Sequence, residues 1–318
     1  MNFIDFHCDT ASAMLEQNQP LKKNSLKIDI EKLQKGEALA QFFAMYIDKE
    51  KHDSSYAYCV EMLQNFKREL ALNSETISLC RTHSDLKEAQ KQGKIGAFLT
   101  IEEGDALEGD LEKLKYFKQE GISAITFTWN YENALGYPNF EWRYQDRGLK
   151  PKGFEVVEMM NELGILVDVS HLSDAGFEDV IAHSKKPIVA THSNSRAITN
   201  HSRNLSDEQL KKLADNGGVA GLAFSVNFLV EKEFIDVSRL AKVEDMVRHI
   251  KHICNVAGVE VLALGSDYDG IMNPVEMEDA SQISKLSDGL LKNGFSYDEV
   301  EKIFYRNGLR IIEEVLDK

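Results

Sequence analysis

What this sequence is short of narrows it first. Its four cysteines, Cys8, Cys59, Cys80 and Cys254, are scattered with no Cys-x-x-Cys, which argues against a thiolate zinc site or a disulfide scaffold and leaves buried reduced thiols. With 5 prolines there is no Pro/Gly/Ser-rich linker and no low-complexity tract to divide it, so residues 1–318 are expected to form a single domain. No apolar run approaches the ~20 residues that cross a bilayer, and the amino terminus lacks the basic, apolar and small-residue order of a signal peptide. A cytoplasmic protein with no membrane partner is the default expectation. Basic residues are outnumbered by acidic ones, 37 to 52, for a formal net charge of -15. That balance argues against a nucleic-acid partner and says nothing about catalysis.

What is present suits an α/β protein. A chain of 318 residues with 43% hydrophobic content can bury a large core, as one barrel or as two ordinary domains. Short runs rich in β-branched, aromatic and small residues fall at 3–9, 39–47, 95–102, 124–130, 166–171, 188–193, 219–224 and 261–267. They lack the polar alternation of a one-sided sheet, as parallel strands buried on both faces do. Helical periodicity marks 55–72, 110–120, 152–163, 174–184, 206–215, 240–257 and 297–316. Ser173, Ser206 and Asp110 are placed as N-caps, and Gly121 and Gly164 follow helix ends. Eight strands with intervening helices predict a TIM-like (β/α)8 barrel, with an open doubly wound sheet as the alternative.

A barrel assembles its active site from the carboxyl ends of several strands, and the chemistry-bearing residues fall there. His7 and Asp9 close the first run, Glu102 and Glu103 the third, His171 the fifth, His192 the sixth and Asp267 the eighth. Residues two apart on an extended strand share a side, so His7 and Asp9 are expected to project together. Taken singly, each is more often a satisfied core histidine or a turn-capping acid. Their recurrence at five strand ends points to metal. Imidazole with carboxylate and no thiolate suits zinc, and also manganese, iron(II) or cobalt. If one Glu bridges, the set suffices for two divalent ions, the usual apparatus for hydrolysing an amide at neutral pH. His52, His83, His183, His201, His249 and His252 read as surface or packing residues.

In this order the motifs resemble the renal or membrane dipeptidases and their bacterial relatives, zinc enzymes of the amidohydrolase type. The resemblance runs from residue 3 to about 311 and is carried by Ile4-Asp5-Phe6-His7-Cys8-Asp9, Ile101-Glu102-Glu103-Gly104, Leu166-Val167-Asp168-Val169-Ser170-His171, Thr191-His192-Ser193-Asn194-Ser195-Arg196, Ser202-Arg203-Asn204, Gly265-Ser266-Asp267-Tyr268-Asp269-Gly270 and Asn307-Gly308-Leu309-Arg310. It implies one metal held by His7 and Asp9, a second by His171 and His192, and Glu102 bridging both, with Glu103 where a Gly is usual. It implies that Arg203 contacts the substrate carboxylate, which a planar guanidinium can bind bidentately, while Arg196 is a surface decoy. Asp267 matches the acid that serves the bridging hydroxide as proton acceptor and donor, and Asp269 is expected to shape its turn.

Two departures fall in the expected substrate cavity. Trp129 stands where many members have a histidine that stabilises the developing oxyanion; an indole N–H donates one hydrogen bond but cannot become cationic. Leu222-Ala223-Phe224-Ser225 replaces a bulkier, Asn- and Tyr-containing segment. The resemblance implies a dinuclear metallo-dipeptidase acting on dipeptides through a metal-bridging hydroxide, with a homodimer among the assemblies it allows. The alternatives are a related amidohydrolase of another small amide, N-acyl amino acid or ester, and a non-catalytic binding descendant.

Overall fold

The runs buried on both faces become parallel strands in the computed structural model, which describes residues 1–231 and 239–317. They are β1 (Phe3–Asp5), β2 (Ala38–Tyr46), β3 (Ile77–Leu79), β4 (Ile95–Glu102), β5 (Ile122–Thr126), β6 (Leu166–Asp168), β7 (Val189–Ala190), β8 (Val219–Leu222) and β9 (Leu262–Leu264). Hydrogen bonding orders them β2-β1-β9-β8-β7-β6-β5-β4, and a seven-pair register from Ala40↔Gly96 to Tyr46↔Glu102 joins β2 to β4 and closes the ring. This is the eight-stranded (β/α)8 barrel; the open sheet is excluded. The unexpected β3 lies outside the ring count, paired with Ile95–Ala97 at the start of β4, before β5 takes over from Leu99.

Alternation along the strands divides the apolar residues into two sets. Ile4, Phe6, Phe42, Phe98, Leu166 and Val219 belong to the cluster filling the barrel, whereas Phe43, Met45, Leu99, Ile101 and Val167 face the surrounding helices. Three of the interior rings stack in sequence, Phe6 on Phe42 and Phe42 on Phe98, each at 4.6 Å between centroids. Burying each is worth roughly 1.5–3 kcal/mol. Leu86 and residues Ile311, Ile312 and Val315 of the last helix join the same cluster, so the interior is packed rather than open.

The expected helices are present, including Ser55–Leu72, Pro151–Leu163 and Val243–Ala257. Ser173, Ser206 and Asp110 accept hydrogen bonds from the backbone of Gly176, Gln209 and Glu112, and Gly121 and Gly164 end their helices in left-handed geometry. Among the described residues, no helix is long and apolar enough to cross a membrane.

One expectation about the strands is corrected. β1 ends at Asp5, β6 at Asp168, β7 at Ala190 and β9 at Leu264, so His7, Asp9, His171, His192 and Asp267 lie in the turns beyond the strands. His7 and Asp9 are not successive same-side positions of an extended strand, because Asp9 has already turned (φ -95, ψ 17) to precede the helix Thr10–Gln17. Of the ligand candidates, only Glu102 stands on a strand.

Candidate metal centre

Glu102 shares the interior side of β4 with Phe98 and is 2% exposed. Its two carboxylate oxygens face in different directions. Oε2 is 3.2 Å from His7 Nε2, while Oε1 is 3.0 Å from His171 Nε2 and 3.5 Å from His192 Nε2. His7 Nε2 also lies 3.8 Å from Asp9 Oδ1 and 4.0 Å from Asp267 Oδ1. Two overlapping donor groups result, His7 with Glu102 and His192, and His7 with Asp9 and Asp267, each with its atoms within 4.8 Å of one another. Gly270 makes room for the second: a Cβ there would lie 1.9 Å from Asp9 Oδ2 and 2.6 Å from Asp267 Oδ1. Asp269 accepts from the Thr10 hydroxyl (2.6 Å) and the Lys27 N–H (2.7 Å), holding the turn as expected.

Glu103 is turned away from this cluster. Its buried carboxylate accepts hydrogen bonds from the N–H groups of Asp105 (2.8 Å) and Trp129 (3.0 Å) and from the Asn133 amide. Burial pushes it up to about 7.

Two further buried acids hold the turns that carry these histidines and acids. Asp168 accepts from the hydroxyls of Thr126 and Thr191 (both 2.6 Å) and Ser170 (2.7 Å) and from the Thr191 N–H (2.9 Å). The Thr191 hydroxyl in turn lies 2.9 Å from His192 Nδ1, which leaves Nε2 to face Glu102. Such outer contacts fix a ligating imidazole's tautomer and direction. Asp5 does the same for the first turn, accepting from the Ser266 N–H (2.7 Å) and hydroxyl (2.6 Å) and from Gln41 (2.9 Å).

The electrostatics divide the site. Burial opposes charge on His7, but Glu102, Asp9 and Asp267 outweigh it and raise the imidazole to about 10. Burial and then Arg203 hold His171 down at about 4, and burial with His7 holds His192 well below its ordinary value. Burial and the Glu102 charge push Asp267 up to about 7, against the pull of His7. Burial also tends to raise Glu102, yet His7 and His171 keep it well below the usual carboxylate range.

These residues floor a cavity of about 650 Å³ whose lining includes Asp9, Glu102, His171, His192, Arg203 and Asp267. Arg203 is 3% exposed, with one terminal nitrogen on the Ser170 carbonyl, the other on the His192 carbonyl (3.1 Å), and its Nε without a partner among the described residues. Its guanidinium lies 5.3 Å from the Phe228 ring centroid. Arg196 instead binds Asp174 through two 2.8 Å hydrogen bonds and stacks on Trp142. Trp129 also lines the cavity. Sequence reasoning missed Tyr46, Phe228 and His201 as cavity residues; for Tyr46 the signal was available, in its position at the carboxyl end of β2 with the same parity as Phe42. Of the histidines set aside, His249 is buried and accepts from the Ser195 N–H at 3.1 Å, while His183 and His252 face Glu158 and Asp207 at 2.9 and 2.7 Å.

The family model for membrane dipeptidases, peptidase family M19, matches residues 1–317. Dipeptidase tcpJ of Claviceps purpurea (strain 20.1) is 27% identical over 325 residues, covering 99% of this chain and 74% of that protein. An uncharacterized dipeptidase of Schizosaccharomyces pombe is 30% identical over 305 residues, covering 89% and 71%. The metallo peptidase from Rhodobacter sphaeroides, solved with a phosphinate mimic of the dipeptide L-Ala-D-Ala, shares the fold with a TM-score of 0.92, at 23% identity and with 99% of each chain covered.

Proposed function

The chain belongs to the membrane dipeptidase family, and from that premise we propose that this site hydrolyses dipeptides with two divalent metal ions, zinc being the ion its nitrogen and oxygen donors suit best. The observation that carries the reading is the divided carboxylate of Glu102, with one oxygen toward His7 and the other toward His171 and His192. The donors fit a cation on a second ground: His7 Nε2 and Asp9 Oδ1 are buried with no hydrogen-bond partner among the described residues, a costly state for polar atoms. His7 and Asp9 would hold one ion, His171 and His192 the other, and Glu102 both. When bound, the pair supplies Lewis-acid polarisation of a carbonyl and acidifies water.

The chain's own residues do the rest. Asp267, lining the cavity with its carboxylate 4.0 Å from His7 Nε2, is placed to accept a proton from the attacking water and return it to the leaving amine. Arg203, held by two backbone carbonyls, offers its remaining N–H groups to the free carboxylate of the substrate. A fixed carboxylate anchor sets how far the scissile carbonyl lies from the substrate's end, favouring substrates with one peptide bond. The reading takes residues 1–318 as a single catalytic barrel acting in the cytoplasm. Chelation followed by addition of zinc, manganese or cobalt, with turnover measured on Ala-Ala-type dipeptides and on N-acetyl amino acids, tests it. Metal-dependent dipeptide cleavage is expected; turnover confined to N-acetyl amino acids, or none with metal restored, would overturn it.

A further inference from the structure

We propose that Tyr46 is a catalytic hydrogen-bond donor of this site, its hydroxyl binding the carbonyl oxygen of the scissile amide and the oxyanion that replaces it, while Trp129 positions its ring. The proposal rests on the dipeptidase reading above.

Strand parity and register place the side chain. Along β2, Ala40 and Phe42 belong to the interior cluster and Phe43, Met45 and Ile47 to the outer one, so Tyr46 has interior parity. Along β4, Phe98 is interior and Glu102, four residues on, shares its side. The register pairs Phe42 with Phe98 and Tyr46 with Glu102. The lower pair meets ring on ring at 4.6 Å, and the upper pair therefore stands side by side above it, at the mouth of the barrel. Tyr46 lines the same cavity as Asp9, Glu102 and Asp267. Among the described residues the hydroxyl makes no hydrogen bond, which leaves the O–H available to a ligand.

The ring is held in place. Trp129 meets it edge to face at 5.0 Å and 74°, a favoured aromatic geometry. The Trp129 backbone N–H donates to the buried Glu103 carboxylate at 3.0 Å, which also accepts from the Asn133 amide. A buried acid that the metal chemistry does not use thus acquires a purpose, anchoring the loop that buttresses Tyr46.

The chemistry suits a donor that never gives up its proton. A phenol is neutral at working pH. As the amide carbonyl becomes tetrahedral, negative charge gathers on its oxygen, and a preorganised O–H strengthens its hydrogen bond there without proton transfer. Arg203 is a poorer candidate, because two of its nitrogens are already committed to backbone carbonyls.

The test is Tyr46→Phe in the metal-loaded enzyme with an Ala-Ala-type dipeptide. The expected result is a ~10²–10³-fold loss in kcat/KM, the usual cost of one oxyanion donor, carried by kcat with KM little changed and metal content equal to wild type by elemental analysis. Affinity for a phosphinate dipeptide mimic should fall by the same factor, since a transition-state contact is lost. In the Tyr46→Phe background, Trp129→Phe should add nothing. If Tyr46→Phe keeps kcat/KM within about threefold of wild type, or loses it wholly in KM with phosphinate affinity unchanged, the proposal is overturned while the dipeptidase reading stands. A metal-loaded wild type inert toward dipeptides would overturn both.

Discussion

On one side of Glu102, His7 sits among the carboxylates of Asp9 and Asp267; on the other, His171 and His192 sit against the guanidinium of Arg203. All three imidazoles are buried and all three face the same carboxylate within 3.5 Å, yet His7 is pushed up to about 10 and His171 down to about 4. Burial alone cannot separate them, because it lowers all three. A unit charge pair at ~3 Å is worth on the order of 5 kcal/mol at an effective dielectric constant near 20. Three carboxylates around His7 therefore exceed its desolvation, whereas Arg203 offsets much of what Glu102 does for His171. The first side demands positive charge and takes a proton when nothing else supplies it. The second is already in the neutral form that ligates metal.

Substitutions on either side of Glu102, and pH, separate the two. The largest effect is expected from Asp267→Asn, which keeps shape and metal but removes the proton acceptor: turnover should fall ~10²–10⁴-fold with substrate affinity retained, and near-normal kcat would remove Asp267 from the mechanism. Asp168→Asn disturbs only the His192 side, through Thr191, and should weaken one ion ~10–100-fold while sparing the other; equal weakening of both in a metal titration would deny that the sides are separately supported. The His7 side should show itself by pH. Because His7 is pushed up to about 10, and burial with the Glu102 charge holds the Asp9 carboxyl well above its usual range, metal uptake near neutral pH should release protons from this side and apparent affinity should rise with pH. Calorimetry in buffers of different ionisation heat reads those protons, and their absence would mean that neither group is protonated before metal binds. In the metal-free protein the same raised imidazole contributes stability that is full below about 6.5 and lost as pH rises through about 10. The smallest effect is expected from Trp129→Phe, which keeps a ring against Tyr46 and should cost less than ~10-fold in kcat, with Trp129→His also active. A loss of ~10²-fold or more in Trp129→Phe would make the indole itself an essential donor.

Much of this arrangement is legible in the sequence. Runs buried on both faces announce parallel strands wherever they are long enough, and His7, Glu102, His171, His192 and Asp267 stood out because imidazoles and acids recurred at their ends. The ends themselves were not legible. Asp9, His171 and Asp267 lie in turns fixed by distant partners, such as the Ser266 N–H on Asp5 across 261 residues, and no local pattern carries such a pairing. The short β3 and the polar helix His83–Lys91, with only Leu86 and Ala89 buried, have too little apolar periodicity to register. Which of Glu102 and Glu103 faces the histidines was decidable in principle, since Phe98 and Glu102 share parity on one strand, but that inference needs to know which side of the strand faces the barrel.

The most direct test of the account is elemental analysis of the purified wild type, Glu102→Ala and Glu103→Ala proteins after loading with zinc. With Glu102 shared between the two sides, the wild type should hold close to two ions per chain, Glu102→Ala should lose occupancy at both positions, and Glu103→Ala should keep both. Full occupancy in Glu102→Ala with loss in Glu103→Ala would contradict it.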